Sequence, residues 1–375
     1  MDGNLRVGNL FGIPFFINPS WFLVLALVTW DFGRGLAVQF PQLGVIAWVL
    51  GLATALLLFS SVLAHELGHS LVAIRQGIPV NSITLFIFGG LASLGEESKT
   101  PGAAFQVAIA GPLVSFFFFG LFNAIAYFTP ISGPIASILG TLAYINLALG
   151  LFNLIPGLPL DGGNVLKSIV WKITGKPYKG VAFASAVGQV FGWLGIGLGL
   201  ASILGFTNVG SFWTLLIGLF LLQNAGRSAQ TATIQEQLSG LTAADAVYPD
   251  SPIIVATSSL REFVNNHIIG SDRQWQKFLV TNADGQLVGE VRVDDLKTIP
   301  TNDWWDIQVQ ALTQPLEQLP TVPSDKPLLE VINLLDDQTT PVLAVLKDNN
   351  VLVGLIEKAS IVQLLQKRAG VEQPA

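Results

Sequence analysis

Two histidines and a glutamate stand together in His65-Glu66-Leu67-Gly68-His69, the spacing H-E-x-x-H. On an α-helix, positions i and i+4 share a face, so both imidazoles can bind one zinc ion at about 2.0–2.1 Å. Glu66 points to the side of that pair. From there it can take a proton from water that the metal has acidified from about 15.7 toward 7, which gives a nucleophile at neutral pH. Inside an apolar helix such a cluster is costly unless its members are ligated or paired. The alternative is a pair of packing histidines bonded to neighbouring carbonyls.

A catalytic zinc takes three protein ligands and keeps one position open for water. The chain has no cysteine, and its other histidine, His267, falls in a polar C-terminal stretch where it reads as structural on a partly exposed helix. A carboxylate is needed. Asp161, in LFNLIPGLPLDGGNVLKSIV, directly follows an apolar segment that exits the membrane near the level of His65. Pro156 and Pro159 stop the preceding helix, and Gly157, Gly162 and Gly163 are expected to permit turns. The competing role for Asp161 is to cap a helix over residues 162–171. Glu96, Glu97 and Asp31 are expected to stay solvated.

The elements that must carry these residues follow from composition. Of 375 residues, 51% are hydrophobic and only 12% charged, too few charges for a soluble protein of this size. The chain must meet lipid, and the bilayer is its first partner. Its net charge of −6 supplies no excess of Lys and Arg for a phosphate backbone, so no nucleic-acid partner is expected. About six segments have the length of a transmembrane helix, at roughly 17–36, 43–75, 102–128, 134–155, 181–204 and 211–225. The opening MDGNLRVGNLFGIPFFINPS has neither a basic n-region nor transit-peptide character, and no removed signal is expected.

Lys and Arg cluster in alternate connections. Arg6, Arg75, Lys99, Lys167, Lys172, Lys176, Lys179 and Arg227 share one face, against Arg34 on the other. That face reads as cytoplasmic, with both termini and the soluble C-terminal part inside. Three regions result: a transmembrane domain over 1–225, a polar linker over 226–240 and a soluble domain over 241–375. The last contains an internal repeat, in which FLVTNADGQLVGEVRVDDLKTI from Phe278 aligns with LAVLKDNNVLVGLIEKASIVQL from Leu343, Gly289 falling against Gly354. Each copy reads strand, turn, strand, helix, with a further helix upstream from Ser258 and from Lys326. In NSITLFIFGGLASLG, alternation followed by Gly89-Gly90 predicts an extended segment and tight turn beside the histidines. Its edge could add a substrate strand, offsetting the cost of unwinding a helix whose carbonyls are internally bonded. An ordinary surface hairpin is the other reading.

HELGH in one transmembrane segment and FNLIPGLPLDGG at the end of a later one resemble the site-2 protease family of intramembrane metalloproteases. The family's pattern falls on His65, Glu66, His69, Asn153, Pro156, Asp161 and Gly162. The resemblance covers roughly residues 1–225. It implies a polytopic α-helical membrane protein with a three-helix catalytic core, one zinc per chain sunk below the cytoplasmic surface, and regulated intramembrane proteolysis of transmembrane protein substrates. It also implies that Asn153 orients substrate or an oxyanion, although a helix-end amide satisfying backbone groups is the alternative. Gly111-Pro112 resembles the family's Gly-Pro at the start of the third span, normally followed by an asparagine. Ser115 stands at that place, a departure expected to concern helix packing and not the metal.

The soluble repeat resembles a tandem α/β pair of CBS domains, which implies regulation or homodimer formation and, in some pairs, adenosine nucleotide binding. Asp295 falls where that family has a ribose-binding Asp, but Arg292 replaces the preceding Thr, and the second copy has Glu357 and Ser360. Two other functions compete with proteolysis: a transporter gated by the CBS pair, and a catalytically silent relative that binds membrane proteins. The first leaves HELGH and Asp161 without a role. The second conflicts with a complete ligand set and Glu66.

Overall fold

Uninterrupted runs of Leu, Val, Ala and Phe give the N-terminal half its long helices, since only a helix satisfies its own backbone in lipid. The computed structural model describes residues 3–87, 89–248, 251–269, 275–315, 319–337 and 342–368. Its internal contacts divide the chain into Met1–Thr233 and Ile234–Ala375.

The first unit opens with strands β1 (Leu5–Leu10) and β2 (Ile13–Ile17), followed by helices α1 (Ser20–Gln39) and α2 (Ile46–Arg75). Strands β3 (Val80–Phe86) and β4 (Gly89–Leu94) come next, then α3 (Pro101–Phe128), α4 (Pro134–Asn153), α5 (Asp161–Thr174), α6 (Pro177–Ile203) and α7 (Phe212–Leu238). Among the described residues, α1, α2, α3, α4 and α6 are long and apolar enough to cross a membrane. The sixth expected segment opens α7, but its apolar run ends at Leu222. The polar residues from Gln223 onward stay helical, so the expected linker is helical as far as Leu238.

Small residues let these helices approach closely. A Cβ on Gly51 of α2 would lie 2.6 Å from the Gly33 nitrogen of α1, and one on Gly199 of α6 would lie 2.5 Å from the Leu215 nitrogen of α7. The strands form one sheet in the order β1-β2-β3-β4, with β2 and β3 parallel and the other pairs antiparallel. The β3–β4 hairpin matches the extended segment read from the sequence, whereas β1 and β2 had no signal strong enough to mark them. Gly89 has φ +130°, a backbone that a side chain would strain. The sheet is fixed to the end of the bundle where α1 begins and α2 ends: Asn18 N–H donates to Leu85 O at 2.8 Å, and Ile87 N–H to Ser20 Oγ at 3.2 Å. Ile13, Phe15, Trp21, Phe59, Ile83 and Leu85 bury its inner face against α1 and α2.

The second unit shows the repeat in its strands. The first copy has β5 (Ile253–Val255), the short helix α8 (Leu260–Phe263), β6 (Lys277–Thr281) and β7 (Leu287–Arg292). The second has β8 (Thr321–Pro323), α9 (Leu328–Asp337), β9 (Val342–Leu346), β10 (Leu352–Glu357) and α10 (Lys358–Arg368). In each copy the first strand runs parallel to the second, which forms a hairpin with the third. Both copies are therefore α/β units of one strand order, as the repeat predicts. The copies join through Leu279, Ala344, Leu352 and Leu355 and through Leu352 N–H to Gly285 O at 2.9 Å.

The tight α1–α2 crossing gives a direct test. Gly51→Ala forces the helices apart and should cost about 1–3 kcal/mol as overpacking, read as a lower thermal unfolding temperature. Gly35→Ala, whose added methyl meets nothing within 4 Å, should leave that temperature unchanged.

Candidate active site

The last turns of α2 carry His65 and His69 on one face, toward α3. Three positions of α3 one turn apart, Val107, Gly111 and Ser115, meet them. His69 Nδ1 lies 2.7 Å from Val107 O, and His65 Nδ1 lies 2.9 Å from Ser115 Oγ. His65 and Ser115 are buried, at 3% and 0% exposed. A ring whose Nδ1–H donates to such an acceptor presents a bare Nε2 on its other side, the form that binds a metal. Between these two contacts sits Gly111. A Cβ there would fall 2.2 Å from His69 Nε2 and 2.6 Å from His65 Nε2, so the missing side chain is what leaves room in front of both nitrogens.

Asp161 arrives from α5. It is the first helical residue, the N-cap is Leu160, and no side chain caps the helix, so the capping role weighed for Asp161 is not the one it has. Its Oδ2 lies 3.0 Å from His65 Nε2 and 3.3 Å from His69 Nε2, and the two Nε2 atoms lie 3.3 Å apart. Each residue offers one donor atom, and the three atoms lie within 4.8 Å of one another.

The glycines behind Asp161 act by close approach and not by turning. Gly157, Gly162 and Gly163 have no left-handed backbone. A Cβ on Gly162 would lie 2.3 Å from Leu154 O, and one on Gly163 2.3 Å from Leu158 N. The start of α5 is thus pressed onto residues 154–158, which follow Asn153 at the end of α4. Pro156 is exposed in that segment and Asn153 is half-buried. Leu158 N–H donates to Ala184 O of α6 at 3.1 Å, tying the segment to the bundle.

Glu66 leaves the histidine face and lies against β4. A Cβ on Gly90 would come within 2.4 Å of its Cγ and 3.1 Å of its Oε1, so Gly89-Gly90 sits beside the catalytic candidate as the hairpin reading expected. Within the sheet β4 pairs only with β3 among the described residues, and its outer edge is free of strands.

One expectation needs correction here. Ser115 does more than pack helices, because its hydroxyl contacts the ring of His65. The signal was available: Val107, Gly111 and Ser115 repeat every four residues in an otherwise apolar helix. Glu96 and Glu97 are exposed as expected, Glu97 also accepting from Lys167 of α5 at 3.0 Å and Glu96 facing Lys99 at 3.8 Å. Asp31 remains exposed. His267 sits half-buried against Phe263 and Phe278, and burial lowers its pKa below the usual imidazole value. Asp295 is engaged by its own chain: its Oδ2 accepts from Arg292 N–H at 3.3 Å and from Gln314 Nε2 at 3.1 Å.

Two imidazoles and a carboxylate with bare donor atoms on one point, a second carboxylate alongside and no side chain in between suit zinc in number and type of donor. Set among membrane-crossing helices, they define a multi-pass membrane metallohydrolase. Comparison with known proteins narrows the class. The pattern of peptidase family M50 matches residues 53–132 and 129–195. A Synechocystis protein named as a zinc metalloprotease, sll0528, is 56% identical over 98% of this chain and 97% of its own. Rip3 of Mycobacterium tuberculosis, likewise named, is 31% identical over 97% of this chain and 93% of its own. A solved site-2 protease from Methanocaldococcus jannaschii is 30% identical, with 60% of this chain and 95% of that one covered at a TM-score of 0.44. The chain belongs to peptidase family M50 and is a zinc metalloprotease.

The Ser115 contact predicts a measurable dependence. Ser115→Ala should weaken zinc binding by about 10–100-fold, the usual loss when a ligand histidine is deprived of its outer partner. Competition with a chromophoric chelator measures it. Unchanged affinity would assign Ser115 to packing alone.

Proposed function

We propose that this zinc metalloprotease hydrolyses peptide bonds within or next to transmembrane segments of membrane proteins, at a site where His65, His69 and Asp161 hold the metal and Glu66 is the general base. The observation that carries the proposal is the convergence of His65 Nε2, His69 Nε2 and Asp161 Oδ2 at 3.0–3.3 Å inside a bundle of apolar helices. A soluble protease has no reason to sink its ligands among lipid-facing helices, whereas a membrane-bound substrate reaches them sideways.

Zinc, when bound, polarises the scissile carbonyl and lowers the pKa of water. Glu66 accepts the proton of the attacking water. As the C–N bond breaks, it gives that proton to the leaving nitrogen. The free edge of β4 aligns the substrate, pairing with a stretch of its chain that has left the helical state. Asn153, one residue before the segment that supports Asp161, serves substrate or oxyanion. The surplus of Lys and Arg on the sheet side of the bundle supports a cytoplasmic site and cytoplasmic termini, with α7 completing six crossings. The CBS pair regulates the protease or pairs two copies of it. Asp295, already engaged by Gln314 and Arg292, weighs against a nucleotide in the first copy.

Purified full-length chain, mixed with a transmembrane test substrate, should cleave it, and a chelator should stop cleavage. Glu66→Gln should lower the rate by about 10²–10⁴-fold, the usual worth of a general base, with zinc content unchanged. An E66Q enzyme that cuts at the normal rate would refute the role given to Glu66.

A further inference from the structure

At the other end of α2 from the histidines, a cleft of about 520 Å³ opens between α1 and α4. Asp31, Arg34 and Gln39 of α1, Ser137 and Thr141 of α4 and Thr54 of α2 form its polar side, and Phe32, Leu36, Val38 and Ile138 its apolar side. Ser137 Oγ donates to Gln39 Oε1 at 2.9 Å, bridging α1 and α4 at the mouth. The charged and amide groups of Asp31, Arg34 and Gln39 are foreign to lipid tails, and the floor residue, Thr54, is 2% exposed.

Thr54 begins a polar line. Thr54, Ser61 and His65 fall within about 40° on one face of α2, over a rise of about 16 Å. Ser61 is 3% exposed, and beside it lies Asn146 of α4, which is fully buried. Asn146 Nδ2 donates to Leu142 O at 2.9 Å and to Ser61 Oγ at 3.3 Å. Its Oδ1 has no hydrogen-bond partner among the described residues. A buried amide oxygen that the protein leaves unpaired is the kind of group that buried water bonds. One turn beyond Ser61 is His65, with Ser115 behind its ring.

We propose that the cleft is a water-filled vestibule on the membrane face of the α1–α2 connection, and that Asn146 and Ser61 pass water from it to the catalytic centre from behind. Hydrolysis consumes one water per peptide bond. A substrate strand on β4 lies on the Glu66 side, where it covers the sheet-side approach, so a supply from the opposite end keeps the site wet during turnover. This use rests on the proteolytic reading above, while the presence of water in the cleft does not.

The chain has no cysteine, so single cysteines can be placed in it without other changes. Asp31→Cys, Ser137→Cys and Thr54→Cys, in full-length protein in vesicles, are exposed to a charged, membrane-impermeant methanethiosulfonate and separately to a neutral, lipid-soluble maleimide. The charged reagent should modify the Ser137→Cys protein within about tenfold of the rate for Asp31→Cys, and the buried Thr54→Cys protein more slowly, thiolate access being the determinant. Failure of the charged reagent to modify Ser137→Cys, with or without modification by the neutral one, would show that water does not fill the cleft and would overturn the proposal. Asn146→Leu should lower kcat several-fold with KM and zinc content unchanged. A normal kcat would overturn the supply role. Labelling of the cysteine variants as expected, together with a wild type that shows no chelator-sensitive cleavage, would sink the proteolytic reading instead.

Discussion

Charge inside an apolar helical bundle is the constraint that organises the first unit. Two imidazoles and two carboxylates sit where lipid-facing helices surround them, and each must be neutralised or bonded. Oxygen donors behind the histidines, Val107 O and Ser115 Oγ, fix the ring orientations, and Asp161 Oδ2 meets both rings from the front. Zinc is the species that turns this crowding of donors into a stable arrangement. Everything else around the site holds these atoms in place or gives a substrate access to them.

That demand explains where side chains are missing. Gly111 leaves the space ahead of the Nε2 atoms, Gly90 lets β4 come down onto Glu66, and Gly162 and Gly163 let α5 press against the end of α4. Each is a place where one methyl group would displace backbone or a catalytic group. The β-sheet adds a rigid rim, since β3 follows directly from the helix bearing the histidines and β2 leads into α1, so hairpin and metal site share one support.

Much of this was legible in the sequence, for definite reasons. Helical spacing is local, so His65 and His69 could be assigned to one face, with Glu66 beside it, from five residues. The repeat was legible because its register is fixed by strand periodicity, and β6 and β7 fall residue for residue where β9 and β10 predict them. Asp161 lies far along the chain, but an aspartate at the end of an apolar span is scarce enough to single out. What escaped were contacts between distant segments. The parallel pairing of β2 with β3 joins residues on either side of α1 and α2, and nothing local announces it. The contact of Ser115 with His65 and that of Lys167 with Glu97 depend on how helices rotate against each other. The glycines near Asp161 were read as turn formers because composition reports conformational freedom, while the structure uses them for the volume they lack.

The claim on which the account stands is that α2 and α5 share one metal ion. Elemental analysis of the purified full-length chain, wild type and Asp161→Ala, tests it most directly. The account predicts one zinc per wild-type chain and little or none in Asp161→Ala, with the variant still folded in the membrane. A full complement of zinc in Asp161→Ala, or none in the active wild type, would contradict it.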